Sequence, residues 1–600
     1  MTDSEPLHAP FRLPITYLSA QHRRPLSETL HRDLELVHLQ TPVHDASANT
    51  PTTICIYERM FQPTHSFGEQ MMPEWAAYFS THEDYLNDTQ QVLSEMNQYH
   101  RQMELSKKPP VTPETCQRLR KIWDDLHHVD FLEKYSYMEW QMLKPLNESS
   151  AFLQILSLGN LASPLFSLFI PILFLILPFI LLQLRGIPLS WSMYTEVLTN
   201  VAKNHFIGKA ILGLKSPSPD KILYVVLLLG FYLMQIYQNV VSCVHFYENV
   251  RQVNHDLVDL RHFCDYSVQS MDTYVRMHSS RPTYQSFCKD VQEQSNQLRC
   301  LSERLAAVSR FECAVHKLGE LGTMMTNYHH VYSSSDVQTA LRYAMGFEGY
   351  MNNLAGVTRH LQCGNMSLIE LGVSPKKPTE FLNQYYPALL PSPSATPSTS
   401  TIVKNRASLR KNMIVTGPNA SGKTTYLKTT AINVILTQQL GCGYYGKGSR
   451  LPRLYTNIHS YLNIPDTSER DSLFQAEARR CKDIIDMVEK EPRGRHFCIF
   501  DELYSGTNPT EATKAAFAFL KYLAQRRNVD FLLTTHYVNV CKMVKSSCKN
   551  IRNYKMLVTT DKDEMRYTYR IARGISTIEG AQKILKDMDY PSEIMVDFNA

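Results

Sequence analysis

The densest run of chemically capable side chains lies at 413–425, MIVTGPNASGKTT. An apolar stretch enters Gly417, and residues 417–424 fit G-x-x-x-x-G-K-[ST]. Gly417 and Gly422 permit the backbone curl that turns peptide N–H groups toward phosphate oxygens. The N-terminus of the helix that follows adds positive potential. Pro418, Asn419, Ala420, Ser421 and Thr425 belong to the same cradle. Lys423 is predicted to reach the β- and γ-phosphates, and the Thr424 hydroxyl to hold Mg²⁺. Residues 496–502, HFCIFDE, read as an apolar strand ending in two carboxylates. Asp501 is expected to hold the Mg²⁺ shell through water, and Glu502 to polarise an attacking water as general base. Two adjacent acids can also mark a bare strand terminus; the phosphate loop about 80 residues upstream favours a shared site. A further strand, Phe531 to Thr535 (FLLTT), ends at His536, at the sheet edge where ligands bind in doubly wound folds. His536 is therefore a candidate γ-phosphate sensor. ATP and Mg²⁺ are the cofactors this set implies.

These groups need an α/β scaffold: a mostly parallel sheet with flanking helices. The helix after the phosphate loop is predicted through Tyr426, Leu427 and Ile432 to Leu440, with Gly441 as its stop. The remainder of a 600-residue chain leaves room for two to four domains in all. The formal net charge of +5 is small for this length, so it permits nucleic acid or anionic lipid as a partner without selecting either. The 13 cysteines form no C-x-x-C pair and no zinc-ligand spacing, and the first residues lack a signal-peptide pattern. Reduced thiols facing the cytosol are expected, with Cys442 and Cys498 as small buried apolar residues.

Residues 1–45 are polar and rich in Pro and His, and read as an irregular lead-in. Residues 46–150 read as helical, with Trp75 to Met103 as one long amphipathic helix and His127-His128 on a solvated helix face. The character then changes. Residues 161–184, LASPLFSLFIPILFLILPFILLQL, carry no charge, and Pro164, Pro171 and Pro178 recur at seven-residue steps. Such a run is long enough to cross a bilayer, and spanning helices tolerate proline better than soluble ones. A second charge-free run covers 222–243, with Gln235, Gln238 and Asn239 in its C-terminal half. Residues 151–245 are therefore expected to form a hydrophobic membrane hairpin of two transmembrane helices, with the lipid bilayer as partner. Arg185, Lys203, Lys209, Lys215 and Lys221 in the intervening loop favour the cytosol, which is also where an ATPase must face. A re-entrant hairpin satisfies both demands, and the topology stays open.

Residues 246–378 read as a helical, lever-like region. Val250, Val253, Leu257, Leu260, Cys264 and Met271 fall at three- and four-residue steps, as do Leu298, Leu301, Leu305 and Val308. Arg281-Pro282 separates the two series, predicting an antiparallel pair of long helices. Residues 392–401, SPSATPSTST, read as a flexible loop ahead of the α/β domain at 379–600.

The order and spelling of the reactive segments resemble the ATPase domain of the MutS family of DNA mismatch-repair ATPases, within the wider ABC class. Gly417-Pro418-Asn419 through Thr425 follows that family's G-P-N-x-x-G-K-[ST]-T, and 472–477, SLFQAE, its S-x-F-x-x-E signature loop. Asp501 through Asn508 resembles D-E-x-x-x-G-T-x, and Thr535-His536-Tyr537 resembles T-H-Y. Tyr569 through Gly574, Ser576, Gly580-Ala581 and Tyr590-Pro591 resemble the closing strand and helix, and Tyr385-Tyr386-Pro387 and Asn405 the positions ahead of the phosphate loop. The resemblance implies an ABC-type fold, ATP hydrolysis with Mg²⁺, and a homodimer or a heterodimer with a related subunit. In that dimer Ser472 would reach the γ-phosphate bound by the other subunit. It also implies that Ile402 and Tyr569 flank the adenine ring, and that DNA is a partner. It covers roughly residues 380–600 and does not reach the N-terminal half. The Phe-x-Glu spellings at Phe67-Gly68-Glu69 and Phe131-Leu132-Glu133 are expected by chance in a chain this long. Two functional classes follow: a DNA-directed ATPase, or an ATP-driven membrane machine acting on its own hairpin or on a membrane partner. A nucleotide-gated scaffold is disfavoured, because Lys423, Asp501 and Glu502 are all intact.

Overall fold

The computed structural model describes residues 10–37, 54–184, 191–204, 219–310, 315–390, 402–462, 464, 473–561, 564–578, 588 and 590–591. Two compact units emerge, one from chain segments 1–108, 269–295 and 342–600, the other from 109–268 and 296–341. This grouping cuts across the linear division at 45, 150, 245 and 378, since the first hundred residues share a unit with the α/β domain.

The second unit is helical. Helix α1 (Ser150–Leu184) and helix α2 (Pro219–His278, in this unit through Val268) contain the two charge-free runs. Helix α1 continues through Pro164, Pro171 and Pro178 without a break. Cys243 Sγ donates to Leu161 O at 3.2 Å, Asn239 Nδ2 reaches Ser167 Oγ, and Tyr232 OH donates to Ser167 O at 2.9 Å. Partners descend one helix as they ascend the other, so the pair is antiparallel. Its outward side chains are large and apolar: Phe166 is 63% exposed and Phe231 70%. Both helices are long and apolar enough to cross a membrane, by length and composition. The helix Trp191–Asn204 lies between them in sequence, while Arg185, Lys209 and Lys215 fall outside the described residues.

Past the hairpin, α2 buries Val250, Val253, Leu257, Leu260 and Cys264, the apolar face expected from the heptad-like steps. Helix α3 (Gln285–Leu305) follows after a short turn at Pro282–Tyr284, where the break was predicted. Ser302 Oγ donates to Asp265, and Asn254 Nδ2 to Ser309 O at 3.0 Å, an antiparallel register in this unit. Helix α4 (Leu321–Ser333) sits against the first turns of α1, with Gly322 N–H donating to Gln154 Oε1 at 2.7 Å. Nearby, the hydroxyls of Tyr135 and Tyr328 donate to Asp125 Oδ2 at 2.5 and 3.0 Å. Tyr328 OH also stands 3.5 Å from Asp256 Oδ2, and burial pushes the Asp256 carboxyl up to about 6. His127 and His128 are exposed, and no group of three metal-ligating side chains occurs among the described residues.

The first unit is built on a six-stranded sheet. Its strands are β1 (Asn412–Thr416), β2 (Asn457–Tyr461), β3 (His496–Asp501), β4 (Val529–Thr534), β5 (Ile551–Asp561) and β6 (Glu564–Arg573), in spatial order β6-β5-β1-β4-β3-β2. The pairs β5–β1, β1–β4, β4–β3 and β3–β2 are parallel, and the β5–β6 hairpin is antiparallel. The central strands read as unbroken apolar runs because helices cover them. Helix α5 (Lys423–Leu440) follows β1 and is buried along nearly its whole length, ending at Gly441 as predicted. Helix α6 (Leu473–Lys490) shares a core with the helices Pro509–Ala524 and Val538–Ser547 through Cys481, Ile484, Phe500, Leu520, Leu533 and Val544. Cys442 and Cys498 are fully buried.

Two sequence expectations are corrected here. Within 1–45, residues 10–37 are not irregular: the strand Arg23–Pro25 pairs antiparallel with Tyr78–Ser80, and the helix Glu28–Asp33 is capped by Ser27. Phe11 is buried among Phe287, Tyr343, Phe347 and Tyr350, which explains why a polar-looking segment is fixed. Nor is Trp75 to Met103 one helix. A helix ends at Trp75, the strand Tyr78–Ser80 intervenes, and a new helix, Glu83–Leu105, starts where His82 Nδ1 accepts from Tyr85 N–H at 3.2 Å. The strand pairing with Arg23–Pro25 wins over helical continuity. The C-terminal side of α5 is latched to the same region. Gln439 Nε2 donates to Trp75 O at 2.5 Å and Tyr78 O at 3.1 Å, and Gln438 Nε2 to Ser80 O at 2.9 Å. The Pro/Ser/Thr segment at 392–401 lies outside the described residues.

Candidate functional site

Strand β1 is buried throughout and delivers the chain to Gly417 in the middle of the sheet. The loop then closes on itself, with Ser421 Oγ donating to Pro418 O at 2.7 Å. Ala420 (φ +60°) and Gly422 (φ +91°) take left-handed backbone, and a Cβ on Gly422 would come within 3.2 Å of the Tyr569 ring. Glycine meets both demands at that position. Lys423, the first residue of α5, is 6% exposed and directs Nζ back into the loop, to Gly417 O at 3.0 Å and Pro418 O at 3.2 Å. Asn419 Oδ1 lies 3.4 Å from the same nitrogen. Burial lowers the ammonium pKa, and the negative charges of Glu502 and Asp501 act in the opposite sense.

Strand β3 brings the carboxylates to the same place. Thr424 Oγ1 donates to Asp501 Oδ2 at 2.8 Å, and Thr534 Oγ1, at the end of β4, donates to Asp501 Oδ1. A hydroxyl beside a carboxylate at the mouth of a phosphate loop is a hard-oxygen donor set of the kind Mg²⁺ takes. Glu502 leaves the strand in left-handed backbone (φ +50°), and its Oε1 stands 3.4 Å from His536 Nδ1. The hydrogen bond to His536 depresses the Glu502 carboxyl pKa; burial opposes this, and the charges of His536 and Lys423 reinforce it. Glu502 is thus held as a carboxylate, the form a general base requires.

A cleft of about 660 Å³ opens beside these groups. Asn419, Ala420, Gly422, Lys423, Thr424, Thr425 and Glu502 line one part, and Tyr385, Tyr386, Leu389, Ile402, Val403 and Tyr569 line another. Ile402 and Tyr569 therefore face one cleft together with the phosphate loop. Tyr569 is held there in left-handed backbone (φ +55°) while Asn405 brackets it, donating to Tyr569 O and accepting from Ile571 N–H, each at 2.9 Å. Gln384, Tyr426 and Thr429 also line the cleft, and they and Leu389 have no assigned site role in the sequence reading. Tyr426 and Thr429 had a usable signal, the three-residue step that keeps them on one face of α5. Gln384 and Leu389 had none. Ser472 lies outside the described residues. Within the same signature-like segment Glu477 is 2% exposed and accepts from Ser505 and Gly506, in the loop that follows Glu502.

The phosphate loop, the Thr424–Asp501 contact and the parallel strands that present them coincide with a known sequence family. Residues 413–598 match MutS domain V. The chain is similar to DNA mismatch repair protein MutS of Alkaliphilus oremlandii (strain OhILAs), at 25% identity over 186 residues, 30% of this chain and 20% of that protein. It is also similar to Endonuclease MutS2 of Lachnospira eligens, at 31% identity over 191 residues, 31% of this chain and 23% of that protein. The human DNA mismatch repair protein Msh3 is 26% identical over 200 residues, 30% of this chain and 17% of that protein. These matches, at modest identity, support a MutS-family relationship. They span about a fifth of the length of the relatives.

Proposed function

We propose that the chain is a Mg²⁺-dependent ATPase of MutS type whose nucleotide occupies the cleft between the phosphate loop and Tyr569. The observation that carries this reading is the convergence of Lys423, Thr424, Asp501 and Glu502 at the mouth of that cleft, within the segment that matches domain V. Phosphate oxygens would replace the loop carbonyls as partners of the Lys423 ammonium, with backbone N–H groups of 419–424 and the start of α5 supplying the rest of the cradle. Thr424 and Asp501 would hold Mg²⁺, which supplies charge neutralisation between the β- and γ-phosphates when bound. Glu502 would take a proton from the attacking water as the water oxygen bonds to the γ-phosphorus and the bond to the bridging oxygen breaks. His536 orients Glu502 and would sense the γ-phosphate. Ile402 and Tyr569 would sandwich the adenine, and Ser472 would complete the site of a second subunit in a homodimer or heterodimer. Phosphate release that needs Mg²⁺, stops with EDTA and rises with protein concentration through a dimerisation range would bear this out. A pure protein with no turnover would overturn it.

DNA enters as the partner through the motif resemblance and the similarity to DNA mismatch repair proteins. Stimulation of turnover by duplex or branched DNA at low salt is the test, and no binding there would remove the DNA half.

The exposed apolar hairpin favours a second component, attachment to a lipid bilayer. Large side chains such as Phe166 and Phe231 point outward from helices that lack a charge over tens of residues, which is costly in water and ordinary in hydrocarbon. In this reading the ATPase works beside a membrane, on its own hairpin or on a membrane partner. Cell fractionation with protease protection tests it, and recovery of the full-length chain in the soluble fraction without detergent would sink it.

A further inference from the structure

The loop that follows the two carboxylates is held more firmly than a surface turn requires. Glu502 (φ +50°) and Tyr504 (φ +59°) both take left-handed backbone, with Leu503 buried between them. Such backbone persists at residues with a side chain only where the surroundings over-determine it. Here the amide hydrogens account for the hold. Glu502 N–H donates to Thr534 O at 3.0 Å, and Tyr504 N–H to Tyr461 OH at 3.2 Å. The next two both end on Glu477: Ser505 N–H on Oε1 at 2.9 Å and Gly506 N–H on Oε2 at 3.2 Å. Ser505 Oγ adds a third bond to Oε1 at 2.9 Å.

Glu477 belongs to the first turns of α6, which press directly on this loop. The Phe474 ring lies 5.6 Å from the Tyr504 ring, and a Cβ on Gly506 would meet Leu473 Cγ at 2.7 Å, so only glycine fits. Buried polar oxygens need partners, and three hydrogen bonds, two of them from backbone N–H groups, supply them to the Glu477 side chain. They also fix 505–506 relative to α6. The peptide between Glu502 and Ser505 is short, so fixing its far end limits where the Glu502 side chain can point.

We infer that Glu477 is a positioning residue for Glu502: it does not line the cleft beside the phosphate loop, and it sets the orientation of the general base through the 502–506 loop. The inference rests on the ATPase reading above.

The test compares wild type, Glu477→Gln, Ser505→Ala, Glu502→Ala and the double variant Glu477→Gln/Glu502→Ala, each as the full chain. Turnover is read by phosphate release and affinity by a fluorescent ATP analogue with Mg²⁺. Glu477→Gln is expected to lower kcat by at least tenfold with affinity within twofold of wild type, and Ser505→Ala by two- to fivefold. The double variant is expected to turn over no more slowly than Glu502→Ala alone, because a misdirected base and a missing base lose the same step. Wild-type kcat in Glu477→Gln, equal losses of affinity and turnover, or multiplicative losses in the double variant would overturn the inference. Where Glu477→Gln fails to fold, unchanged kcat in Ser505→Ala overturns it alone. A wild-type protein that binds no nucleotide overturns the ATPase reading instead.

Discussion

Thr424 Oγ1 and Asp501 Oδ2 are 2.8 Å apart although 77 residues separate them in the chain. One hydroxyl at the start of α5 and one carboxylate at the end of β3 thus share a hydrogen bond at the mouth of the cleft. The contact exists because β1 and β3 flank β4 in a parallel sheet, so the ends of both strands open on the same edge. Thr424→Val keeps the shape of the side chain and removes the donor. It is expected to raise the Mg²⁺ concentration needed for half-maximal turnover about tenfold or more, in line with loss of one hard-oxygen ligand. Titration of phosphate release with MgCl₂ checks this.

Lys423 is nearly buried and bonded to oxygens of its own loop. Its replacement by Ala removes the ammonium directed into the loop and is expected to abolish nucleotide binding in calorimetry. Glu502→Ala should behave differently, retaining ATP while losing about 10²–10⁴-fold in turnover, the range typical of a general base. Comparable hydrolysis by the Glu502 variant would refute its assigned role.

The pH profile offers a second view of that carboxylate. Its pKa is lowered, first by the hydrogen bond to His536, so the base form persists to more acidic pH than an ordinary Glu allows. The acid limb of kcat should lie below the usual carboxylate range. In His536→Ala that bond is gone, the Glu502 pKa rises, and the limb should move to higher pH. A limb that stays in place in His536→Ala would show that another group controls it.

Asp256 makes a stability prediction in the helical unit. Its carboxyl is raised to about 6 from an ordinary 3.8, chiefly by burial, with Asp125 and Asp259 reinforcing the shift while Gln252 and Lys121 oppose it. A group raised in the folded state contributes stability below its unfolded pKa that is lost as pH climbs through the folded pKa, here between about 4 and 6. The loss amounts to about 2–3 kcal/mol at neutral pH. Asp256→Asn can still accept from Gln252, so it should melt higher than wild type at pH 7 and show no gain at pH 4. Thermal unfolding at the two pH values decides.

For the hairpin, a charge is the sharpest probe. Phe231 is 70% exposed, so Phe231→Arg costs a water-facing helix little. In hydrocarbon the same change costs about 2.5–3.5 kcal/mol. Loss of membrane recovery in that variant, with domain V turnover intact, is expected.

The site was legible from sequence to the extent that its signals are local. Gly417 to Thr425, Asp501, Glu502 and His536 each announce themselves within a strand and its following turn, and the sheet brings them together. The buried series from Val250 to Cys264 was legible for the same reason, a period carried within one helix. What escaped depends on distant partners. The strand Tyr78–Ser80 interrupts an otherwise helical pattern because Arg23–Pro25 pairs with it, and no residue between Trp75 and Met103 reports that. Gln438 and Gln439 read as ordinary helix formers, yet both are buried and bonded to backbone carbonyls. Glu477 spelled a motif, while its work as a triple acceptor required the position of Ser505.

The latch between Gln439 and Trp75 bridges 364 residues of chain. During synthesis at about 5–20 residues per second, the segment that includes Trp75 leaves the ribosome on the order of 20–70 s before its glutamine partner exists. Over that interval the carbonyls of Trp75 and Tyr78, and the apolar faces of Phe11 and Phe61, have no finished surface to join, while the hydrophobic hairpin has already emerged. Newborn chains thus present two unpartnered regions at once, and a holding chaperone that covers them would raise the yield of finished protein.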